Sequence, residues 1–378
     1  MSDLNAESLE LHRLHGGKIA TALSVPLDNK HDLSLAYTPG VAAVCRAIAF
    51  DQELARTHTI KGRTIAVVTD GSAVLGLGNI GAAAALPVME GKCALFKKFA
   101  DVDAFPICLD TQDTEEIIKT VKYLAPVFGG INLEDIAAPR CFEIERRLQA
   151  ELDIPVMHDD QHGTAAVVLA ALINALKLRG GDKAEIKVVL SGAGAAGNAI
   201  ARLLLGYGVR NIIVCDRQGA IYAGRPDLDK EKAELSALTN LHAKKGSLAE
   251  VLAGADVFIG VSSAGLVTRE MVAAMAPRPV VFALANPVPE IMPDEAKAAG
   301  AFIVASGRSD FPNQINNVLI FPGVFRGALD NKVKRISDEM LVKAAENLAA
   351  LVPTPSVEMI LPEPFAPGIA AAVADAIK

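Results

Sequence analysis

Two pairs of adjacent acidic residues carry the clearest chemical signal in the chain. Glu134-Asp135 ends the segment Gly-Gly-Ile-Asn-Leu-Glu-Asp, and Asp159-Asp160 follows 25 residues later. Each pair comes directly after an apolar, strand-like stretch, and the ends of parallel strands are where α/β proteins place their functional groups. Carboxylate oxygens are the ligands that hard divalent cations such as Mg²⁺ and Mn²⁺ prefer. The two pairs therefore suggest a divalent metal site.

A glycine motif typical of dinucleotide binding follows the acidic pairs. Gly192-x-Gly194-x-x-Gly197 comes after the apolar stretch 186–190 and opens a helical pattern. Gly192 permits a tight turn, Gly194 lets the backbone approach a pyrophosphate, and Gly197 lets helix and strand pack closely. The start of the helix then offers amide N–H groups to the phosphates. The predicted cofactor-binding residues of this motif are Gly192, Ala193, Gly194, Ala195, Ala196 and Gly197.

The acid that completes such a motif is Asp216, which stands 24 residues after Gly192. A carboxylate at this position accepts from the ribose 2′-hydroxyl of NAD and repels the 2′-phosphate of NADP. We therefore expect NAD to be preferred. Arg217, directly after it, could instead accommodate the phosphate, so the choice between NAD and NADP stays open at this point.

Strand-like and helix-like segments alternate along the whole chain, which predicts an α/β fold. We expect two domains. The first, 1–160, is an N-terminal α/β catalytic and metal-binding domain, and the second, 161–378, is a doubly wound Rossmann-type NAD(P)-binding domain with a short C-terminal helical tail. The predicted strands are 64–69, 104–109, 131–136, 154–158, 186–190, 211–215, 256–261, 280–285 and 302–305. The main predicted helices are 79–98, 114–124, 139–150, 163–178, 196–207, 339–351 and 368–378.

Composition is that of a cytoplasmic enzyme. The chain has 378 residues, 51% of them hydrophobic, and a net charge of −7, so we expect neither nucleic acid nor a membrane surface as partner. No signal peptide is expected, and no apolar stretch is expected to reach the roughly 18 to 20 uncharged residues that span a bilayer. The five cysteines have no metal-binding spacing, and we interpret them as reduced, buried thiols.

Two further features have more than one interpretation. His158 and His162 flank the second acidic pair and could bind zinc, although neither a cysteine nor a third histidine stands nearby with the required spacing. We favour a packing or supporting role for both. A second glycine-rich loop, 71–81, follows the first strand but lacks the Lys-Ser/Thr of a P-loop, so it is expected to face the substrate.

In combination, these motifs resemble the malic enzyme family, in its short bacterial and archaeal form. The resemblance covers about residues 15 to 370. It implies oxidative decarboxylation of malate to pyruvate and CO₂, with NAD or NADP as coenzyme and Mg²⁺ or Mn²⁺ as metal. The motifs that carry it are Tyr37-Thr-Pro-Gly-Val-Ala, the loop 71–81, Glu134-Asp135, the run 158–164, the Gly192 motif and Ala285-Asn-Pro287.

The resemblance also assigns roles to individual residues. It implies Tyr37 as general acid and Lys92 as general base, with Lys92 also contacting substrate. Asn286 and one asparagine of the pair 316–317 match contacts to substrate or nicotinamide, and we favour Asn317. The implied metal ligands are Glu134, Asp135 and Asp160. A mechanism of this kind needs a neutral Lys92, which burial and a nearby cation would favour.

One departure from the family concerns the substrate. Larger members carry a substrate-binding arginine in the loop 71–81, where this chain has Ser72-Ala73. The C1 carboxylate of malate then needs another partner, and Arg140 and Arg308 are candidates.

Several alternatives remain open from the sequence. The chain could decarboxylate malate to lactate with retained NAD, act as another two-domain NAD(P)-dependent dehydrogenase, or bind dinucleotide as a non-catalytic regulator. We also expect a homodimer, because the first 30 residues have few apolar residues in a regular repeat and could hardly bury themselves on their own domain. In that dimer the N-terminal segment packs on the partner and can place Tyr37 in the partner's site.

Overall fold

Two parallel β-sheets organise the protein, seen here in a computed structural model that describes residues 4–74 and 76–378. Leu75, in the glycine loop 71–81, lies outside the described residues. The first sheet has the order β2-β1-β3-β4 and all of its strands are parallel. Its strands are β1 (Thr64–Thr69), β2 (Asp103–Cys108), β3 (Gly130–Leu133) and β4 (Val156–His158).

The second sheet has the order β10-β9-β8-β5-β6-β7, in which only β7 runs antiparallel. Chain order therefore reverses at β5, as in a doubly wound dinucleotide-binding domain, and the predicted fold class is confirmed. Its strands are β5 (Lys187–Ser191), β6 (Asn211–Asp216), β7 (Gly219–Ala220), β8 (Val257–Gly260), β9 (Val280–Ala283) and β10 (Ile303–Ser306).

Helices cover the sheets and connect them. The helices of the first half are α1 (Leu4–His15), α2 (Lys30–Ala36), α3 (Val41–Phe50), α4 (Ala55–His58), α5 (Ala82–Ala100), α6 (Thr114–Leu124), α7 (Arg140–Glu151) and α8 (Asp159–Arg179). Those of the second half are α9 (Ala195–Tyr207), α10 (Lys230–Leu238), α11 (Leu248–Leu252), α12 (Arg269–Ala273), α13 (Pro293–Ala298), α14 (Phe321–Asp330), α15 (Asp338–Ala350) and α16 (Ile369–Ala374). Short 3₁₀ turns occur at Gln52–Leu54, Ile60–Arg63 and Asn317–Leu319.

Two boundaries differ from the sequence prediction in a way that matters for function. The strand predicted over 131–136 ends at Leu133, so Glu134 and Asp135 lie in the loop beyond it. The helix predicted from 163 begins at Asp159, so the second acidic pair occupies the first turn of α8 rather than a strand end. Carboxylates are favourable in a first helical turn, because the helix dipole is positive there.

The C-terminal tail packs across both sheets. α14 contacts α5 and β3 of the first sheet, while α15 packs on α8 and α9. Phe96 of α5 is fully buried, and its ring centroid lies 4.6 Å from that of Phe321 and 5.5 Å from that of Phe325, both in α14. One hydrophobic core therefore runs from the first sheet through α8 to the second.

The N-terminal segment 4–60 contributes nothing to that core. α1, α2 and α3 bury no residue, and α1 forms a regular helix where the sequence suggested little periodicity. Its large apolar side chains are exposed: Leu4, Leu9, Leu11, Leu14, Ile19, Leu23, Val25, Leu27, Leu33, Leu35, Phe50 and Ile60. So large an apolar surface is typical of a protein–protein contact.

Two helical stretches are long and apolar enough to cross a membrane, Lys30–Phe50 and Asp159–Arg179. Both contain charged residues, so neither contradicts the expectation that no stretch reaches roughly 18 to 20 uncharged residues. Asp159–Arg179 is mostly buried inside the protein and is a core helix, and Lys30–Phe50 comprises α2, the turn at Tyr37 and α3.

The five cysteines are free thiols, but not all are buried. Cys45 is exposed and Cys108 is half-buried, which corrects the expectation for these two. Cys45 lies on α3, in the segment without a core of its own.

We expect Phe96→Ala to destabilise the protein by about 3–5 kcal/mol, because it removes the ring on which both phenylalanines of α14 pack. Leu241→Ala, at an exposed position, should change the free energy of unfolding by no more than about 0.5 kcal/mol. Urea-induced unfolding measures both. Equal stability of the two variants would show that the contact between α5 and α14 does not hold the tail in place.

Candidate active site

The glycine motif forms a tight turn between β5 and α9. Gly192 has φ = 113°, and a Cβ atom there would lie 2.6 Å from the carbonyl oxygen of Val261. At Gly197 a Cβ would lie 1.8 Å from the carbonyl oxygen of Gly192, so the helix could not approach the turn. Gly194 faces open space and precedes α9 without a side-chain cap. The first N–H groups of α9 are thus left for an anionic ligand.

The six motif residues divide between two neighbouring cavities. Gly192, Ala193 and Gly194 line the larger one, of about 970 Å³, which also contains Asp216 and Arg217. Ala195 and Ala196 line the second, of about 510 Å³. Gly197 lies in neither and serves the packing of α9 on β5. A dinucleotide bound at this turn would extend from the first cavity into the second.

Asp216 has more partners than the sequence suggested. Its Oδ1 accepts from the Gln218 amide (3.0 Å) and from Arg225 (2.9 Å), and its Oδ2 accepts from Arg225 (2.5 Å) and Lys232 (3.0 Å). Partial burial opposes ionisation, but the hydrogen bonds from Arg225 and Lys232 lower the pKa of Asp216 to about 2. A carboxylate has about four lone-pair sites, and four donors already occupy them.

The acids Glu134, Asp135 and Asp160 meet at one point. One carboxylate oxygen from each lies within 4.8 Å of the others. Two ligands of a single hard cation lie at most about 4–5 Å apart, so the group fits one ion. Asp135 has φ = 53°, and its amide donates to Asp160 Oδ2 at 2.8 Å, which fixes the loop after β3 against the start of α8.

Burial and mutual repulsion make this cluster electrostatically unfavourable by itself. Burial, together with the charge of Asp160, raises the pKa of Asp135 to about 8. The pKa of Glu134 is also raised well above its usual range, mainly by burial and against the pull of Lys92. A bound cation would stabilise the ionised carboxylates.

Lys92 of α5 is buried between two carboxylates. Its Nζ lies 2.5 Å from Asp159 Oδ2 and 2.8 Å from Glu134 Oε1, and 4.1 Å above the ring of Phe321. Burial favours neutral Lys92, but the charges of Asp159, Glu134 and Asp160 outweigh it and raise the lysine pKa. The protein groups alone therefore hold Lys92 protonated. The expected lowering of its pKa by a nearby cation stays a prediction.

Asp159 is a functional candidate that the sequence analysis named without assigning a role. It is fully buried and is the nearest partner of Lys92. Gly163, one turn later in α8, makes room for it, because a Cβ there would lie 1.8 Å from Asp159 Oδ1. The sequence run His-Asp-Asp-Gln-His-Gly could have indicated a buried Asp159, because a glycine one helical turn after an acid leaves space for the acid's side chain.

The second cavity brings together some of the predicted residues from both halves of the chain, although neither Lys92 nor Glu134 lines it. Asp135 and Asp160 line it, together with Asn286, Asn317 and Ala195. Among the described residues, no lysine or arginine lines this cavity. It is therefore a small polar site next to the dinucleotide turn.

Arg140 and Arg308, the two candidates for the substrate carboxylate, are engaged elsewhere. Arg140 pairs with Asp70 (3.0 Å) and donates to Ser72 Oγ (3.0 Å). Arg308 pairs with Asp310 (2.6 Å). Neither lines the second cavity.

Tyr37, the predicted general acid, does not lie at either cavity of its own chain. It is 69% exposed, between α2 and α3, and lines neither cavity. Its segment is the one that has no core.

The two histidines lie outside the acid cluster. His162 Nε2 lies 3.0 Å from Glu145, and His158 Nε2 lies 3.8 Å from Asp160. Within the described part of the chain, the only group with metal-binding geometry is the three-carboxylate cluster. This arrangement favours a hard cation over zinc.

Known proteins share this architecture. Residues 16–149 match the family model described as malic enzyme, N-terminal domain, and residues 161–376 match malic enzyme, NAD binding domain. A bifunctional malic/malolactic enzyme of Bacillus subtilis (strain 168) is 57% identical, over 99% of this chain and 92% of that protein. An NAD-dependent malic enzyme of Geobacillus stearothermophilus is 60% identical, over 89% of this chain and 70% of that protein.

The fold agrees equally well with a solved structure. The crystal structure of NAD-dependent malic enzyme from Thermotoga maritima superposes with a TM-score of 0.96 and 52% identity, over 98% of each chain. Since the two family models together match most of its length, the chain belongs to the malic enzyme family.

Proposed function

We propose that the protein oxidatively decarboxylates malate to pyruvate and CO₂, with reduction of NAD or NADP. The observation that supports this most directly is one polar cavity shared by the start of α9 and the acids Asp135 and Asp160. Family membership removes the alternative of an unrelated two-domain dehydrogenase and favours an enzyme over a non-catalytic regulator. The first test is malate-dependent formation of NADH or NADPH, with and without EDTA.

A divalent cation, Mg²⁺ or Mn²⁺, would be held by Glu134, Asp135 and Asp160. Their spacing fits one ion, and the raised pKa values of Glu134 and Asp135 call for positive charge. When bound, such a cation polarises the C2 oxygen of malate, and the nicotinamide accepts the hydride. Asn132 donates to Glu134 Oε2 at 2.8 Å and orients that carboxylate.

Lys92 would accept the proton of the C2 hydroxyl once the charges of its neighbours are compensated. Asp159 then keeps the amine in place, since it lies 2.5 Å from Nζ. The amide groups of Asn286 and Asn317 line the cavity and would donate to the carboxylates of malate, in place of the arginine of larger relatives.

Tyr37 would come from the partner in a homodimer. The segment 4–60 exposes its apolar side chains, and Tyr37 lies within it and lines neither cavity of its own chain. Packing the segment on a second copy would bury that surface and supply a phenol to protonate C3 after CO₂ is lost.

Coenzyme choice would depend on Lys232 rather than on Asp216 alone. The four donors on Asp216 leave no free acceptor for a ribose hydroxyl. Lys232, which also lines the larger cavity, can turn towards a 2′-phosphate, so we infer that both NAD and NADP are accepted. This replaces the simple expectation that Asp216 favours NAD.

Malate-to-lactate conversion with retained NAD is a second candidate. A protein 57% identical to this one is named a bifunctional malic/malolactic enzyme. Lactate produced without net NADH would identify this reaction.

Asp160→Asn should weaken Mn²⁺ binding and reduce decarboxylation at limiting Mn²⁺ by at least about 100-fold, because it removes one of three anionic ligands. Asp110→Asn, at an exposed acid beyond β2, is the control and should change neither. Calorimetry measures Mn²⁺ binding, and NADH fluorescence should show an intact coenzyme site. Normal Mn²⁺ affinity in Asp160→Asn would exclude it as a ligand.

Mixing inactive Tyr37→Phe and Lys92→Met subunits should restore activity, since one site of each heterodimer then carries neither lesion. Random exchange should restore about a quarter of all sites. Lys92→Met mixed with Glu134→Gln is the control and should restore nothing, because each lesion stays in its own chain's site and every site of the heterodimer then carries one lesion. Absence of recovery in the first mixture after subunit exchange would place Tyr37 in its own chain's site.

Lys232→Met should lower kcat/KM for NADP by at least about tenfold, because a charged contact to the phosphate is lost. With NAD, kcat/KM should stay level or rise, because Asp216 Oδ2 no longer accepts from Lys232 and is free for a ribose hydroxyl. Lys230→Met, on the exposed side of α10, is the control. A proportional loss with both coenzymes would show that Lys232 only stabilises the fold.

A further inference from the structure

Glu290 is a buried carboxylate that the proposed chemistry does not use. It directly follows the segment Asn286-Pro-Val-Pro and is fully buried. Burial raises its pKa, opposed by hydrogen bonds from Ser262 and Ala285. No ion pair to Glu290 forms among the residues that the structure describes. A buried carboxylate without a cation is costly, so its hydrogen bonds must be well made.

Those hydrogen bonds connect the ends of two neighbouring strands. Oε1 accepts from the Ser262 amide (2.7 Å) and the Ser262 hydroxyl (3.3 Å), just beyond β8. Oε2 accepts from the Ala285 amide (3.0 Å), just beyond β9. One side chain therefore sets the distance between the two loops.

Ser262 also contacts the residue that precedes the dinucleotide turn. Ser262 Oγ lies 3.0 Å from Ser191 Oγ, directly before Gly192. The backbone adds two bonds, from Gly265 N to the Pro289 carbonyl (3.0 Å) and from Val267 N to the Glu290 carbonyl (2.9 Å).

These loops form the boundary between the two cavities. Ser262 lines both of them, and Ala285 and Asn286 line the second. A dinucleotide that enters at the Gly192 turn must pass Ser262 to bring its nicotinamide near Asn286.

The absence of a side chain at Gly260 leaves the space that the carboxylate of Glu290 occupies. A Cβ at Gly260, the last residue of β8, would lie 2.4 Å from Glu290 Cδ and 2.7 Å from both of its oxygens. No such contact is tolerated, so glycine at 260 and glutamate at 290 form one structural unit.

We propose that Glu290 is a positioning residue, which holds Ser262 and Asn286 in register for nicotinamide and substrate. It acts through these two loops and touches neither ligand. A carboxylate is required because both of its oxygens accept, whereas the amide of glutamine would present a donor to one of the two N–H groups.

The experiment compares Glu290→Gln, Gly260→Ala, the double variant and the control Glu295→Gln, which changes an exposed acid on α13. In Glu290→Gln, kcat/KM for malate should fall by at least about tenfold through misplacement of Asn286. NADH affinity should change by less than about threefold, because the Gly192 turn is retained. Gly260→Ala should likewise lower kcat/KM for malate while leaving NADH affinity nearly unchanged. The double variant should lose no more kcat/KM than either single variant, because both changes disturb the same contact.

Hydrogen–deuterium exchange tests the same inference without any activity. The segments 261–267 and 284–288 should exchange faster in Glu290→Gln and not in Glu295→Gln. The kinetic part rests on the proposed function, and an inactive wild-type enzyme would refute that function while exchange still tests Glu290. Unchanged exchange in both segments, additive effects in the double variant, or a lower melting temperature with unaltered kcat and KM would each overturn the proposal.

Discussion

A buried excess of negative charge is the constraint around which this protein is arranged. Glu134, Asp135, Asp159 and Asp160 share a small volume with the single ammonium group of Lys92. Carboxylates so close together repel each other strongly where little water reaches them. The loop after β3, the start of α8, and α5 with its phenylalanine neighbours all converge to hold them. Such an arrangement is stable as ions only when positive charge is added, which is what a metal-dependent site requires.

Much of this could be predicted from the sequence, because the signals are local. The apolar runs predicted every strand of the two sheets except the short β7, and the Gly192 motif predicted a turn in which Gly192 and Gly197 leave no room for a Cβ atom. The acids were predicted as a group from their positions after strands. The start of α8 was misplaced by four residues, because Asp159 and Asp160 are helix-compatible only at a first turn.

The sequence did not reveal which side chains, distant along the chain, the fold brings into contact with the site residues. Asp216 was interpreted from its place in a motif, yet its acceptor capacity is taken by Arg225 and Lys232. Burial and a nearby cation were expected to lower the pKa of Lys92, but the sequence did not show that Asp159 and Glu134 lie beside it and, in the protein alone, raise that pKa. Tyr37 presents a different case, because it lies in a segment whose large apolar side chains are exposed in the single chain. The homodimer proposed above would supply the missing contacts.

The ring of Phe321 beneath Lys92 has a consequence for how the protein is made. That ring belongs to α14, so the surroundings of Lys92 are completed by residues more than 200 positions later in the chain. During translation, domains tend to fold as they emerge from the ribosome. We therefore expect the core between α5 and α14, including the contact of Phe325 with Phe96, to close only after α14 has been synthesised. Until then the four acids would be hydrated, and the charged interior would form late in synthesis.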